Sequence, residues 1–143
     1  MKKKCIGFLA GVIGFVMLTG CGTENTLTCS QVEEEEEFGK MTQNIVLYFN
    51  GDSTIINKVT INEDVELKEE SYVDIFKKSL EEQCDDFKDD DTKCNVSVNK
   101  NKVRFEVIKE NIKENDDDLG EVSAKTTKED AKTYFEKQGY TCK

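Results

Sequence analysis

An α+β fold is predicted for this chain: an antiparallel sheet built from β-hairpins, with two helices packed on one of its faces. Three observations predict it. Apolar residues recur at every second position through five segments. The period lengthens to three or four in two others. Turn residues separate the period-two segments in pairs, as hairpins require. The resulting order is β-β-β-α-β-β-α, and elements of this mix pack as a sheet with helices on one side.

The elements follow in sequence. Leu27 and Cys29 alternate with threonine and serine, so a strand begins near Thr26 and runs into QVEEEEEFGK (31–40), where Gly39 turns the chain. In MTQNIVLYFN (41–50), Met41, Ile45, Leu47 and Phe49 share one parity. NGDS (50–53) opens on Asn-Gly, which suits a two-residue hairpin with positive φ. Beyond it Ile55, Val59, Ile61, Val65 and Leu67 share a parity again, giving a long strand with one buried face. In SYVDIFKKSLEEQCDDF (71–87) the apolar positions are 72, 73, 75, 76, 80, 84 and 87, one helical stripe. Ser71 with Asp74 resembles a capping box with Asp in place of Glu.

KDDDTK (88–93) reads as a loop. Cys94, Val96 and Val98 line one face of the next strand, and Val103, Phe105 and Val107 line one face of its partner, with NKNK (99–102) as a tight turn. Residues 109–126, KENIKENDDDLGEVSAKT, are polar and aperiodic and read as a long loop. Thr127 with Asp130 caps a last helix, whose short stripe is Ala131, Tyr134 and Phe135. Gly139 suits its C′ position.

The start of the chain carries a different signal. Met1-Lys2-Lys3-Lys4 is a positive patch, and the fourteen residues from Cys5 to Leu18 hold no charge. That length matches the apolar core of a secretory signal and is short of the roughly 20 residues of a membrane span. The run ends Leu18-Thr19-Gly20-Cys21, and this stretch resembles the lipobox of bacterial lipoproteins. The resemblance implies that the Cys21 thiol receives a diacylglyceryl group and that the chain is cut just before it. A thiolate is the most nucleophilic side chain for such alkylation, and Gly20 and Gly22 leave it sterically open. One acyl chain holds a membrane only marginally, whereas two hold it firmly. The expected organisation is a signal peptide over 1–20, a lipid-anchored tether over 21–26 and a single extracytoplasmic domain over 27–143.

Removing residues 1–20 takes away three lysines and no acid, so the net charge goes from −10 to −13. Such a surface repels nucleic acid and anionic lipid faces, so no nucleic-acid partner is expected. Cys5 lies in the signal segment and Cys21 carries lipid, which leaves Cys29, Cys84, Cys94 and Cys142. Four cysteines outside the cytoplasm suggest two disulfides, with three pairings open. Cys84–Cys94 is favoured because the two lie close in sequence, between a helix end and the next strand. Cys29–Cys142 would then tie the first strand to the last residues. A thiol-redox role is the sharper alternative, but no Cys-x-x-Cys occurs.

The chain has no histidine, which removes Ser-His-Asp and Cys-His triads and histidine metal sites. It has no tryptophan and no Gly-rich phosphate loop. No cofactor is expected, and no catalytic residue is assigned. Asn95-Val96-Ser97 matches a glycosylation sequon that has no use in a bacterial lipoprotein. Carboxylates are abundant at 33–37, 85–86, 89–91 and 116–118. Within ENDDDLGE, Glu114, Asp116, Asp118 and Glu121 offer a loose Ca²⁺ site, although glycine comes one place late for an EF-hand loop. The plainer reading is solvated loops that keep the domain soluble. The off-core parity, with Val46, Tyr48, Arg104, Glu106 and Ile108, is a candidate partner surface.

The lipobox, the two hairpins each followed by a helix, and the ending TTKEDAKTYFEKQGYTC together resemble the small YehR-like lipoproteins. That resemblance implies surface anchoring and an α+β fold, with Cys21 as the one residue whose role carries over. It implies no reaction. The expected function is a non-enzymatic, lipid-anchored binding or accessory module of the cell envelope, held to the membrane through Cys21. A Ca²⁺-responsive acidic module is the alternative.

Overall fold

The computed structural model describes residues 25–36, 38–113 and 122–143. The elements are β1 (Asn25–Glu35), β2 (Gly39–Phe49), β3 (Ile56–Leu67), α1 (Val73–Phe87), β4 (Thr92–Asn99), β5 (Lys102–Lys109), α2 (Lys128–Lys137) and β6 (Thr141–Cys142). The strands form one antiparallel sheet in the order β4-β5-β3-β2-β1-β6. The α+β prediction holds, with a short sixth strand added at the end of the chain. β1 begins at Asn25, so pairing starts two residues inside the segment expected to be tether. No helix among the described residues is long and apolar enough to cross a membrane.

The register explains why one face is covered. Directly opposed residues point to the same side of a sheet. Cys29, Ile45, Ile61, Val107 and Cys94 stand opposite one another from β1 to β4, and Leu27, Leu47 and Val59 form the neighbouring rung. On this side α2 packs against β1 and β6, and α1 packs against β4 and β5. The core falls into two clusters. Leu27, Cys29, Ile45, Leu47, Phe49 and Ile56 lie with Ala131, Tyr134 and Phe135 of α2. Val65, Leu67, Val103 and Phe105 lie with Val73, Leu80 and Cys84 of α1.

Several local expectations change. The β2–β3 connection is a longer loop, not a two-residue hairpin. Asn50 accepts the Thr54 and Ile55 N–H groups on its side chain at 3.0 Å each, and Ser53, not Gly51, takes positive φ at 63°. A side-chain acceptor reaching four and five residues ahead stabilises a wider loop than Asn-Gly closes. The register shifts between Tyr48 and Phe49, so Phe49 faces Ile56. Ile56, instead of Ile55, is therefore the fully buried residue at this end.

Helix α1 follows a single 3-10 turn over Glu70–Tyr72 and has no side-chain cap. The Ser71 hydroxyl bonds the Glu69 carboxylate at 3.3 Å and closes no box with Asp74. Ile75, Tyr72 and Phe87 are exposed, so the buried stripe is narrower than the seven apolar positions suggested. For Ile75 the reason is angular. It lies 200° from Val73 at 100° per residue, on the far side from the sheet. Of the segment expected to be a long loop, Lys109 ends β5 and 114–121 lie outside the described residues, while Ile112, Val122 and Ala124 on either side are buried in the α2 cluster. Backbone bonds fasten both ends to β3, from Ile112 N–H to the Asn57 carbonyl and from Ile56 N–H to the Ala124 carbonyl.

The remaining caps follow the prediction. Thr127 accepts the Asp130 N–H at 3.2 Å and donates to the Asp130 carboxylate at 2.8 Å, and Gly139 has φ +96° just past α2. Lys100 takes positive φ in the tight β4–β5 turn.

Candidate functional site

Leu18, Thr19, Gly20 and Cys21 lie outside the described residues, as do Glu114, Asp116, Asp118 and Glu121. Asn25 is the first described residue after the lipobox. Its side-chain amide donates to the Ser53 hydroxyl, and its carbonyl accepts the Lys128 ammonium at 3.1 Å. The chain therefore enters the domain at the end of the sheet formed by the β2–β3 loop and the start of α2.

Both favoured cysteine pairs are joined. Cys29 and Cys142 are cross-strand partners on β1 and β6 with Cα atoms 4.1 Å apart. The adjacent Thr28 and Lys143 exchange both backbone bonds, at 3.0 and 2.8 Å. Cys29–Cys142 is thus the non-hydrogen-bonded kind of pair, in which the side chains approach most closely. Cys84–Cys94 ties α1 to the outer strand β4. Cys29, Cys84 and Cys142 are buried, away from the accessible surroundings of reactive thiols.

The remaining acidic runs do not converge. Alternation along β1 sends Glu33 and Glu34 to opposite faces. Asp85 pairs with Lys88 at 3.0 Å. Asp89 accepts the Asp91 N–H at 2.9 Å, and the Asp91 side chain accepts the Asn111 amide at 2.8 Å. Among the described residues no three cysteines or acids are grouped to hold a metal ion.

The structure does assemble a polar strip that the parity reading passed over. Gln31, Gln43 and Glu63 oppose one another on β1, β2 and β3, on the helix-bearing face. The Tyr140 hydroxyl, just beyond α2, donates to the Gln43 carbonyl oxygen. The Gln43 amide donates to Glu63 Oε2 at 3.2 Å, and the Gln31 amide donates to Glu33 Oε1 at 2.9 Å. Burial lifts the Glu63 carboxyl above its ordinary value; the Gln43 bond opposes this and the Glu33 charge adds to it. The Tyr140 phenol is raised by burial and then by Glu33 and Glu63. The strip is rich in acceptors and carries negative charge, so it suits donor-rich or cationic groups. The signal was present in the sequence as polar residues at apolar-parity positions 43 and 63.

The opposite face carries neither of the described helices. Val46, Tyr48, Arg104, Glu106 and Ile108 share it, as their parity predicts. Arg104 grips Asp64 through two bonds of 2.6 and 3.2 Å, which raises its guanidinium value further. Lys58 lies 5.2 Å from the Tyr48 ring centre and bonds Glu110 at 3.3 Å. Val46 and Asn62 are buried on this side, although neither of the described helices packs here.

A depression of about 520 Å³ opens beside the β1–β2 turn, among Glu34, Glu35, Lys40, Glu66 and Asn101. Its edge is pinned where the Lys68 ammonium donates to the Glu36 carbonyl. Comparison with protein families, with curated proteins and with solved structures finds no match for this chain.

Proposed function

We propose that this chain is a lipid-anchored, extracytoplasmic binding or accessory module of the cell envelope. The observation that carries the reading is Leu18-Thr19-Gly20-Cys21 at the end of a fourteen-residue uncharged run behind three lysines. Two disulfides support it, because such bridges persist in oxidising compartments. The absence of histidine from the whole sequence favours binding over acid–base or nucleophilic catalysis.

In this reading the anchor also sets an orientation. Cys21 to Asn25 is four residues, a reach of at most about 14 Å. The β2–β3 loop and the start of α2 then face the membrane. β1 rises about 35 Å over its eleven residues, which carries the acidic β1–β2 turn outward. A partner arriving from outside meets that turn and the strip of Gln31, Glu33, Gln43 and Glu63 first.

The test is the intact mass of the membrane-extracted protein beside a Cys21→Ala variant. The parent is expected to lack residues 1–20 and to carry a lipid adduct, and the variant to carry neither change. A parent that keeps its first twenty residues and has no adduct overturns the proposal.

A further inference from the structure

Strand β4 is the outer strand of the sheet, and one of its edges has no neighbour among the described residues. Natural proteins block such edges with proline, bulges, charges or very short strands. β4 has none of these between Cys94 and Asn99. It runs eight residues, pairs with β5 without a register shift, and reads Cys-Asn-Val-Ser-Val-Asn over 94–99. Asn99 and Lys102 close the two-residue turn, so Asn95 and Ser97 turn their backbone groups toward β5. Cys94, Val96 and Val98 therefore turn their N–H and C=O groups outward. Val98 is 41% exposed.

The other edge differs. β6 and the adjoining Lys143 protect β1 from Thr28 to Ser30, and beyond them β1 carries Glu33, Glu34 and Glu35, whose charge guards this edge. The β4–β5 hairpin is an acid-poor segment in a chain of net charge −10. The fourteen residues from Thr92 to Phe105 contain no acid, and three of their four cations already have partners. Lys93 pairs with Glu110, Lys102 with Glu66 and Arg104 with Asp64. Along this strand two copies of an acidic protein meet with no carboxylate in the paired segment.

We propose that β4 is a self-association edge, pairing antiparallel with β4 of a second copy of this chain across a two-fold axis at Val96. This register does not depend on the lipid-anchor reading. It sets Val96 opposite Val96 of the partner subunit, Cys94 opposite the partner's Val98, and Asn95 opposite the partner's Ser97. No rung places like charges together. The outward groups of Cys94, Val96 and Val98 complete about six interchain hydrogen bonds. Each exposed Val98 comes to lie beside the partner's Cys84–Cys94 bridge, on the helix-bearing face. The interface is isologous and closes as a dimer, joining two six-stranded sheets into one.

Cysteine crosslinking of the full chain in intact cells tests the register. Asn95 and Ser97 are exposed, and across the axis they form the same kind of non-hydrogen-bonded pair as Cys29 and Cys142. Asn95→Cys with Ser97→Cys is expected to give a band at twice the chain mass on a non-reducing gel. Asn95→Cys with Asn99→Cys, which are out of register, is expected to give none. Monomer in both, equal crosslinking in both, or a crosslink to a different protein overturns the proposal. A second measurement covers loss through misfolding. In detergent-solubilised full chain, Asn95→Lys with Ser97→Lys is expected to weaken dimerisation about tenfold or more, because it sets like charges opposite each other. Unchanged dimerisation with an intact circular-dichroism spectrum overturns it.

Discussion

Gln43 on β2 donates its side-chain amide to Glu63 on β3 at 3.2 Å, on the sheet face that carries both helices. The bond lies where the two apolar clusters separate. Ile45 and Ile61 belong with the α2 cluster, and Met41 and Val65 belong with the α1 cluster. The polar rung thus lies between the patch of sheet under α2 and the patch under α1. The amide offsets part of the desolvation of the carboxylate, but not all of it.

This gives Glu63 a predictable effect on stability. Its folded-state value is raised above the ordinary 4.5 by burial. Once the pH passes the ordinary value, the folded protein holds this proton more tightly than the unfolded chain does. Stability therefore falls as the pH rises from 4.5 through the raised value, and the loss is complete above it. Glu63→Gln keeps an acceptor for Gln43 and removes the charge. The variant is expected to have a higher urea midpoint than the parent at pH 7, with the gain shrinking toward zero at about pH 3.5, where the parent carboxyl is protonated in both states. A gain that is the same at both values would show that burial of charge is not the cause.

Alternating apolar residues made the strands legible because the register keeps them together. Met41, Ile45 and Leu47 do share the covered face with Val59, Ile61 and Val65. The caps at Thr127 and Gly139 were legible because each is a local geometry with a local chemical signature. The β2–β3 loop was not, because Asn50 uses its side chain as the acceptor and the resulting register shift exchanges Ile55 for Ile56. Ile112, Val122 and Ala124 were not legible either. They reach the core through tertiary contacts from a segment with no period of its own. The polar strip was hidden by the same parity that revealed the core. Counting the apolar members of a face leaves out Gln43 and Glu63, and Gln43 finds a partner in Tyr140, almost a hundred residues away.

The two disulfides are expected to contribute unequally. Cys29 and Cys142 are 113 residues apart, and Cys84 and Cys94 only 10. In the loop-entropy picture the long bridge stabilises by about 4.8 kcal/mol and the short one by about 2.7 kcal/mol. Cys29→Ala with Cys142→Ala is therefore expected to lower unfolding free energy by about 2 kcal/mol more than Cys84→Ala with Cys94→Ala. Fully buried Cys29 adds a packing loss in the same direction. Urea titrations of both double variants measure the difference. Equal losses would place the bridges' contribution in local packing instead of the unfolded chain.

Gly39 and Gly51 test how far backbone geometry dictates residue choice at the two connections flanking β2. Gly39 holds φ +119°, a conformation that side chains rarely adopt, and a Cβ built there would lie 2.0 Å from the Glu66 carbonyl oxygen. That oxygen belongs to the paired backbone of β3 and cannot rotate aside. Gly39→Ala is expected to cost more than about 2 kcal/mol, the sum of backbone strain and the displacement of β3 from β2. Gly51 has no neighbour within 4 Å of its Cβ position and no positive φ. Gly51→Ala is expected to leave the fold intact and to raise stability by about 0.4–1 kcal/mol through the reduced entropy of the unfolded chain. Thermal and urea unfolding of the two variants side by side check both signs. A tolerated alanine at 39 would mean that the β1–β2 turn can relax without the Glu66 contact.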